Sequence, residues 1–409
     1  MSKAGGRDWR TPAVMLAAGA LTLAVSIGIR HAFGLFLAPM SRDNGWTREV
    51  FAFAIALQNL VWGAAQPFAG RLADRYGAGK AILSGTALYV LGLLLMAQSH
   101  SGSALALSAG LLVGLGLSGT SFPVVFGAIA RSTPPAKRSL AMGVAMSVGS
   151  LGQFAMLPGA LSAIEAIGWA GTLVALAALA ATMAPLSGAL LERPSAGASS
   201  QAGPSVRDVL AEAFAHRGFW LLSFGFFVCG FHVVFIATHL PAYLVDRGLG
   251  ARTGATVLAL IGLFNIAGSY CAGVLGGRMS KPGLLVGLYL LRAAVIALFF
   301  MAPVTEASAY AFGAAMGFLW LSTVPLTNGT VATVFGVKNM AMLGGIVFFF
   351  HQVGAFLGGW LGGRLYVATG SYDLVWWISI GLALVAALLN VPVREVPVAR
   401  LQAAPEVAA

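Results

Sequence analysis

The sequence has few charged residues, and its long apolar segments have no acidic residue away from their ends. Of its 409 residues, 9 % are charged and 58 % are hydrophobic, and the mean hydropathy is +0.87. A soluble domain has about a quarter charged residues. The composition therefore excludes an ordinary soluble protein and predicts a chain whose core faces the lipid bilayer.

Cysteines, metal ligands and catalytic motifs are also scarce. The two cysteines, Cys229 and Cys271, fall inside apolar segments, so no disulfide framework is expected. No tightly spaced histidine pair with an acidic ligand is present, which argues against a metal site. The sequence also has no nucleotide-binding loop, catalytic constellation or sizeable soluble domain. We therefore expect neither an enzyme nor a cofactor.

Apolar runs of about 20 residues, the length that crosses a bilayer as a helix, recur along the whole chain. The first six lie near 13–39, 50–70, 80–98, 104–130, 139–161 and 167–191. The second six lie near 218–244, 253–277, 282–302, 307–332, 340–363 and 374–391. Residues 192–216 form the longest hydrophilic stretch, typical of a flexible linker. The sequence predicts an all-α membrane protein with twelve transmembrane helices in two six-helix halves, residues 1–191 and 217–409.

The basic residues indicate how the helices are oriented. The net charge is +11, and 17 of the 24 Lys and Arg residues fall in alternate segments that include both termini and the linker. Because short cytoplasmic segments carry an excess of Lys and Arg, we expect both termini in the cytoplasm and the protein in the inner (plasma) membrane. The positive charge is then a matter of topology, and no nucleic-acid partner is expected.

The two halves resemble each other in sequence. Gly28-x-Arg30-x-x-Phe33 recurs as Gly230-x-His232-x-x-Phe235, at an offset of 202 residues. Two further matches have nearly the same offset: Ala69-Gly70 with Ala272-Gly273, and Ala141-Met142 with Ala341-Met342. Three matches at about one offset indicate an internal repeat. Repeated halves usually enclose a substrate site at their interface, near the bilayer midplane.

The ionisable residues inside the spans are all basic or potentially so. They are Arg30, His31, His232, His239, Arg292 and His351. An Arg at mid-span costs about 2.5–3.5 kcal/mol on insertion scales, so such residues usually face a polar cavity or a partner. A positive cavity without an acidic counter-charge favours an anion. With uncharged polar residues at similar depth, the candidate substrate-binding residues are Arg30, His31, Asn59, His232, His239, Asn265, Tyr270, Asn328 and His351.

Each candidate has a structural alternative. The guanidinium of Arg30 is always charged and can grip a carboxylate with two parallel hydrogen bonds; alternatively, it bonds to backbone carbonyls at a helix break. His232 and His239 are seven residues apart and therefore share one helix face. They line a pathway or make hydrogen bonds between helices. Four glutamines at depth face the same choice: Gln58, Gln66, Gln153 and Gln352.

The segment after the second helix reads Gly70-Arg71-Leu72-Ala73-Asp74-Arg75-Tyr76-Gly77-Ala78-Gly79-Lys80. It closely resembles the cytoplasmic signature of the major facilitator superfamily. The resemblance implies a charge-and-dipole latch that stabilises one conformation of a carrier, with Asp74 capping a neighbouring helix. The expected latch residues are Gly70, Asp74, Arg75, Gly77 and Arg138. The second-half copy has Gly277 where Asp74 stands, so the latch is not symmetric. The resemblance also makes the ninth helix peripheral, which favours a structural role for Arg292.

Two further segments narrow the resemblance to one branch. Lys137-Arg138-x-Leu140-Ala141-x-Gly143-x-Ala145-Met146 and the first-helix segment Gly28–Gly34 resemble monocarboxylate transporters and their oxalate/formate-exchanging relatives. Some of those relatives have a Lys in the eleventh helix, and His351 falls at that position. They also have an Arg in the eighth helix, but its position falls near Ser269 here. The missing charge leaves the substrate open, and Arg30 is a candidate to replace it.

We therefore expect a secondary active transporter of small organic anions, monocarboxylate-like, that works by alternating access. Coupling is expected either to protons, carried by histidines because no carboxylate lies at membrane depth, or to a counter-anion. A monomer is expected. The alternative is an efflux pump for drug-like or hydrophobic compounds, which the same fold also provides. Carriers of cationic drugs usually have a buried carboxylate, and the spans have none.

Overall fold

A computed structural model describes residues 9–191 and 205–402, and within these ranges it is α-helical, without strands. Eleven helical stretches are long and apolar enough to cross a membrane. We label the first four α1 (Pro12–Asn44), α2 (Glu49–Tyr76), α3 (Ala78–Met96) and α4 (Gly102–Ser132). The last six are α7 (Arg217–Asp246), α8 (Arg252–Gly276), α9 (Lys281–Met301), α10 (Glu306–Phe335), α11 (Met340–Thr369) and α12 (Asp373–Asn390). The predicted all-α membrane fold is confirmed.

The fifth stretch, Pro135–Ala189, has 55 residues and contains two helices. Its backbone turns at Gly168, where φ is 72° and ψ is 170°. Positive φ is readily adopted by glycine because it has no Cβ. Gly168 therefore separates α5 (138–167) from α6 (169–189), which gives the twelve spans that the sequence predicts.

Helix pairing repeats from one half to the other. In the first half α1 packs on α5, α2 on α4, and α3 on α6. In the second half the same pairs recur with six added to each number: α7 on α11, α8 on α10, and α9 on α12. Across the halves α2 packs on α11 and α5 on α8. The molecule is therefore two similar bundles joined along two seams, the α2–α11 seam and the α5–α8 seam.

The segment between the halves lies partly outside the described residues, which omit 192–204. The part that follows forms a short helix, Val206–Ala215, capped by Ser205 and Asp208. The Glu212 carboxylate in this helix accepts hydrogen bonds from Arg400, near the end of the described chain. The division into halves at 192–216 stays a prediction.

The two seams are tight toward one end of the molecule. A Cβ on Gly70 of α2 would lie 2.2 Å from the carbonyl oxygen of Ala341 on α11. On the other seam, a Cβ on Gly273 would lie 2.6 Å from the Cα of Gly143. The helix ends that meet here are those that the charge pattern assigns to the cytoplasm.

Candidate substrate site

Arg30 lies on α1, three residues before the helix tightens into a 3₁₀ segment at Phe33–Phe36. It is half-buried, and its Nη2 donates a 2.9 Å hydrogen bond to the side-chain oxygen of Asn59 on α2. Its Nε is buried and has no hydrogen-bond partner among the described residues. Arg30 is also absent from the ion pairs of those residues. Its positive charge is therefore oriented by a neutral amide and has no fixed counter-charge in the described part of the chain.

The second half contributes two residues of α11 at the same level. Gln352 is buried, and its Nε2 donates to the backbone oxygen of Asn59 at 3.2 Å. The side-chain oxygen of Gln352 lies 3.2 Å from Nδ1 of His351. A hydrogen-bonded chain thus runs from Arg30 through Asn59 and Gln352 to His351 and crosses from one half to the other.

Four aromatic rings lie about one helical turn from this chain, toward the tight end of the seams. Trp62 and Phe122 come from the first half, and Phe226 and Phe348 from the second; all four are buried. The ring centroid of Phe348 lies 4.9 Å from Trp62, 6.2 Å from Phe122 and 6.5 Å from Phe226. We call these four residues the aromatic layer. Rings from both halves are therefore packed against one another at this level.

The other three candidate histidines do not join Arg30. One ring nitrogen of each lies at hydrogen-bond distance from a backbone carbonyl: His31 from Ile27 at 2.8 Å, His232 from Ser379 at 2.9 Å, and His239 from Gly359 at 2.8 Å. His232 is fully buried and faces α12, which packs on its own half. The contacts of His232 and His239 match the interhelical alternative, and that of His31 lies within its own helix; the place of all three in a substrate site stays a prediction.

Asn265 and Asn328 make hydrogen bonds within and between helices, away from Arg30. Nδ2 of Asn265 donates to Ser150 across the α5–α8 seam at 2.9 Å, and its side-chain oxygen accepts from the backbone N–H of Leu321. Nδ2 of Asn328 donates to Val324 O in its own helix, while its side-chain oxygen is buried without a hydrogen-bond partner among the described residues. Neither amide therefore joins the Arg30 chain.

Tyr270 is about half exposed and lines an apolar groove of about 510 Å³ along α8. The groove also includes Ser147 of α5 and Leu263. The structure therefore separates this tyrosine from the Arg30 chain.

Arg292 on α9 is fully buried and donates to two backbone carbonyls, Leu319 at 2.6 Å and Trp320. These carbonyls lie where α10 is interrupted, between Leu319 and Thr323. An interrupted helix leaves carbonyls without intrahelical partners, and a cation satisfies them. The geometry agrees with the structural role expected for this arginine.

The predicted latch takes a partly different form in the structure. Asp74 lies at the end of α2, with its carboxylate 2.8 Å from Arg131 Nη1, 2.8 Å from the backbone N of Met342 and 3.3 Å from that of Ala341. It therefore caps the N-terminus of α11 in the opposite half. Gly70 packs directly on α11, as described above, and Gly77, with φ of 93°, turns the chain from α2 into α3.

Two arginines of the expected latch contact other groups. Arg75 is exposed and lies over the Tyr76 ring, 5.0 Å from its centroid. Arg138 donates from Nε to the carbonyls of Ala130 and Thr133, where α4 ends. The cation beside Asp74 is instead Arg131, which is not among the expected latch residues; no spacing in the sequence marks it.

Comparison with known proteins agrees with this architecture. Residues 15–359 match the sequence profile of the Major Facilitator Superfamily. The chain belongs to this superfamily. It is a multi-pass membrane transporter and not an enzyme.

Relatives and solved structures narrow the comparison. The chain is 27 % identical over 384 residues to mouse monocarboxylate transporter 11, covering 90 % of this chain and 83 % of that protein. It is 27 % identical over 366 residues to bovine monocarboxylate transporter 13, covering 85 % of this chain and 81 % of that protein. Its fold is similar to that of the Escherichia coli transporter FucP in the outward conformation, with a TM-score of 0.72 at 15 % identity. The similarity covers 92 % of this chain and 97 % of FucP.

Proposed function

We propose that this protein is a secondary transporter of small organic anions, with Arg30 as the group that binds the anionic end. The observation that carries the proposal is the half-buried guanidinium, oriented by Asn59 and without a carboxylate partner among the described residues. An unpaired buried donor such as Arg30 Nε costs about 1–3 kcal/mol. A bound carboxylate would remove that cost and neutralise the charge.

The surroundings of Arg30 favour a substrate with one carboxylate and an organic remainder. Arg30 is the one permanent cation in the hydrogen-bonded chain, and the aromatic layer beside that chain is apolar. The two relatives compared above carry the name monocarboxylate transporter, which supports the same substrate class. An efflux pump for cationic compounds fits less well, because the Asp and Glu residues of the described chain lie at the ends of the spans or outside them.

Alternating access follows from the two seams. In the described state they are tight at the end that the charge pattern assigns to the cytoplasm. We propose that this state faces outward, that both termini are cytoplasmic, and that opening the seams releases the anion to the cytoplasm. The return of the empty carrier is coupled either to a proton or to a counter-anion.

The test is uptake of radiolabelled mono- and dicarboxylates into proteoliposomes. In Arg30→Ala, we expect KM to rise about tenfold to a hundredfold, because a hydrogen bond to a charged group contributes about 1.5–3 kcal/mol. Arg30→Lys should recover only part of the loss, since a lysine cannot form two parallel bonds to a carboxylate. Arg252→Ala, at an exposed arginine, is the control. Unchanged KM in Arg30→Ala would refute the assignment.

A further inference from the structure

Gln352 is the side chain through which the two halves meet at the level of Arg30. It is 3 % exposed, and Gly63 of α2 leaves room for it, since a Cβ there would lie 2.7 Å from Gln352 Cβ. Its Nε2 lies 3.2 Å from the backbone oxygen of Asn59. The side chain of Asn59 in turn holds Nη2 of Arg30. Gln352 therefore reaches the guanidinium through a single residue.

The hydrogen bonds of Gln352 decide which nitrogen of His351 carries hydrogen. A backbone carbonyl can only accept, so the amide nitrogen of Gln352 must face Asn59. The amide oxygen of Gln352 then faces His351 and accepts a hydrogen bond from its Nδ1–H. In the neutral imidazole, the second nitrogen, Nε2, is left with a lone pair.

Nε2 of His351 is buried, with no nitrogen or oxygen donor bonded to it among the described residues. The His351 ring stacks on Phe348, with centroids 5.3 Å apart and planes 8° apart, and packs against Phe226 on α7. The titratable and charged groups that face this region are the Cys229 thiol of α7, which is within hydrogen-bond reach of His351, and the Arg292 guanidinium of α9. The Cys229 thiol also lies 3.1 Å from Thr323 Oγ1, which gives it another partner. The Nε2 lone pair thus faces a weak thiol donor that can turn to Thr323, and it is open to a proton.

We propose that Gln352 is a positioning residue that makes Nε2 of His351 the proton-binding atom and links its charge to Arg30. The inference rests on the proposed anion transport. A proton added to the Nε2 lone pair gives an imidazolium whose Nδ1–H stays on Gln352. Hydrogen-bonded groups polarise one another, so the Gln352 amide donates more strongly to the backbone oxygen of Asn59 and fixes the residue whose side chain holds Arg30. The added positive charge also attracts the carboxylate, so the proton and the anion favour each other's binding.

The experiment measures KM for a transported monocarboxylate at external pH 7.5 and pH 5.5, a range that brackets ordinary histidine titration. In the unaltered protein, KM should fall roughly tenfold at the lower pH. In Gln352→Leu, which removes both hydrogen bonds, KM should change less than about twofold between the two pH values. Gln58→Leu is the matched control, because Gln58 is a buried glutamine that donates to Ala109 O within its own half.

The outcomes separate the alternatives. A merely structural Gln352 would lower the maximal rate while leaving the pH dependence of KM intact, and that result would overturn the inference. If Gln352→Leu fails to accumulate in the membrane, Gln352→Glu decides: its ionised side chain can still accept from His351 but cannot donate to Asn59. KM should then change less than about twofold between the two pH values, as expected for Gln352→Leu, and a roughly tenfold change would overturn the inference. Anion uptake without any pH dependence would overturn only the inference on Gln352 and leave the proposed function standing. Absence of anion uptake would overturn the proposed function itself.

Discussion

The α2–α11 seam and the α5–α8 seam occupy equivalent places in the two-bundle architecture but are held differently. Both bring helix backbones together at glycines, Gly70 against Ala341 in one and Gly273 against Gly143 in the other. Only the first seam has a carboxylate among its described contacts, that of Asp74, bonded to backbone N–H groups at the start of α11. At the second seam, Gly277 stands in the place of that carboxylate.

The glycine contacts are thus a requirement of the fold, whereas the carboxylate is an addition on the α2–α11 seam. Close backbone contact is common to both seams and depends on glycines, because any side chain would separate the helices. The Asp74 carboxylate instead supplies charge-assisted hydrogen bonds across the halves, together with an ion pair to Arg131 inside its own half. In the proposed alternating-access cycle both seams open, so we expect a charged latch on one of them to adjust how often the closed state is occupied.

Gly70→Ala is expected to have the largest effect on this comparison. The added Cβ would lie 2.2 Å from the oxygen and 2.4 Å from the carbon of the Ala341 carbonyl, so α2 and α11 must separate. Overpacking costs about 1–3 kcal/mol, and we expect transport to fall about tenfold. A cysteine introduced at buried Ala341, in a background without native cysteines, should become accessible to a thiol reagent.

Gly287→Ala on α9 is the matched control, because an added Cβ there meets nothing within 4 Å. It should transport normally and keep the cysteine at position 341 protected. Equal labelling in the two variants would show that glycine contact does not hold the α2–α11 seam.

Asp74→Asn should have a smaller effect. The amide keeps the shape of the side chain but loses the negative charge that faces Arg131 and the α11 N-terminus. Removing one partner from a charge-assisted network costs about 1.5–3 kcal/mol, so labelling of the cysteine at Ala341 should rise about tenfold or more. The control is Asp373→Asn, since the ion pair with Arg247 is roughly half exposed, and an exposed pair contributes about 0–1 kcal/mol. Labelling as slow as in the unaltered protein would exclude Asp74 as a latch.

Apolar runs and a few special residues were enough to predict most of the fold. The spans follow from hydrophobic length, and the cap of Asp74 on a neighbouring helix follows from the signature. Many predicted boundaries were short by several residues, because helices such as α2 continue past the apolar run to Tyr76. Arg131, beside Asp74, was missed because the pairing depends on how α4 lies against α2, which no local spacing encodes.

The site was less predictable because it depends on how each helix is rotated about its axis. His232 repeats the position of Arg30 in sequence, yet α7 presents it to Ser379 of α12. Arg30 faces α2 and the other half instead. Gln352 was recognised as a polar residue at depth, but its role as the link between Asn59 and His351 becomes visible only when α2 and α11 are brought together.

Gly277→Asp should have the smallest effect, and it tests directly whether a carboxylate like that of Asp74 would stabilise the α5–α8 seam. The backbone at Gly277 is right-handed helical (φ −82°, ψ −14°), and the closest atom to an added Cβ lies 3.4 Å away, so the side chain fits. The repeat would aim the new carboxylate at Ala141 and Met142, the counterparts of Ala341 and Met342. The two pairs differ in their place on the helix. Ala341 is one residue after the start of α11 at Met340, whereas Ala141 is three residues after the start of α5 at Arg138.

The N–H groups of a first helical turn lack intrahelical partners, and those beyond it are already bonded. The new carboxylate therefore gains mainly the interaction with the helix dipole, about 0.3–1 kcal/mol. We expect labelling of a cysteine at buried Ala145 of α5 to slow by about twofold to fivefold, and transport to slow by no more than that. A stabilisation as large as the loss in Asp74→Asn would show that the α5–α8 seam has a cap site of equal strength that the sequence leaves unused.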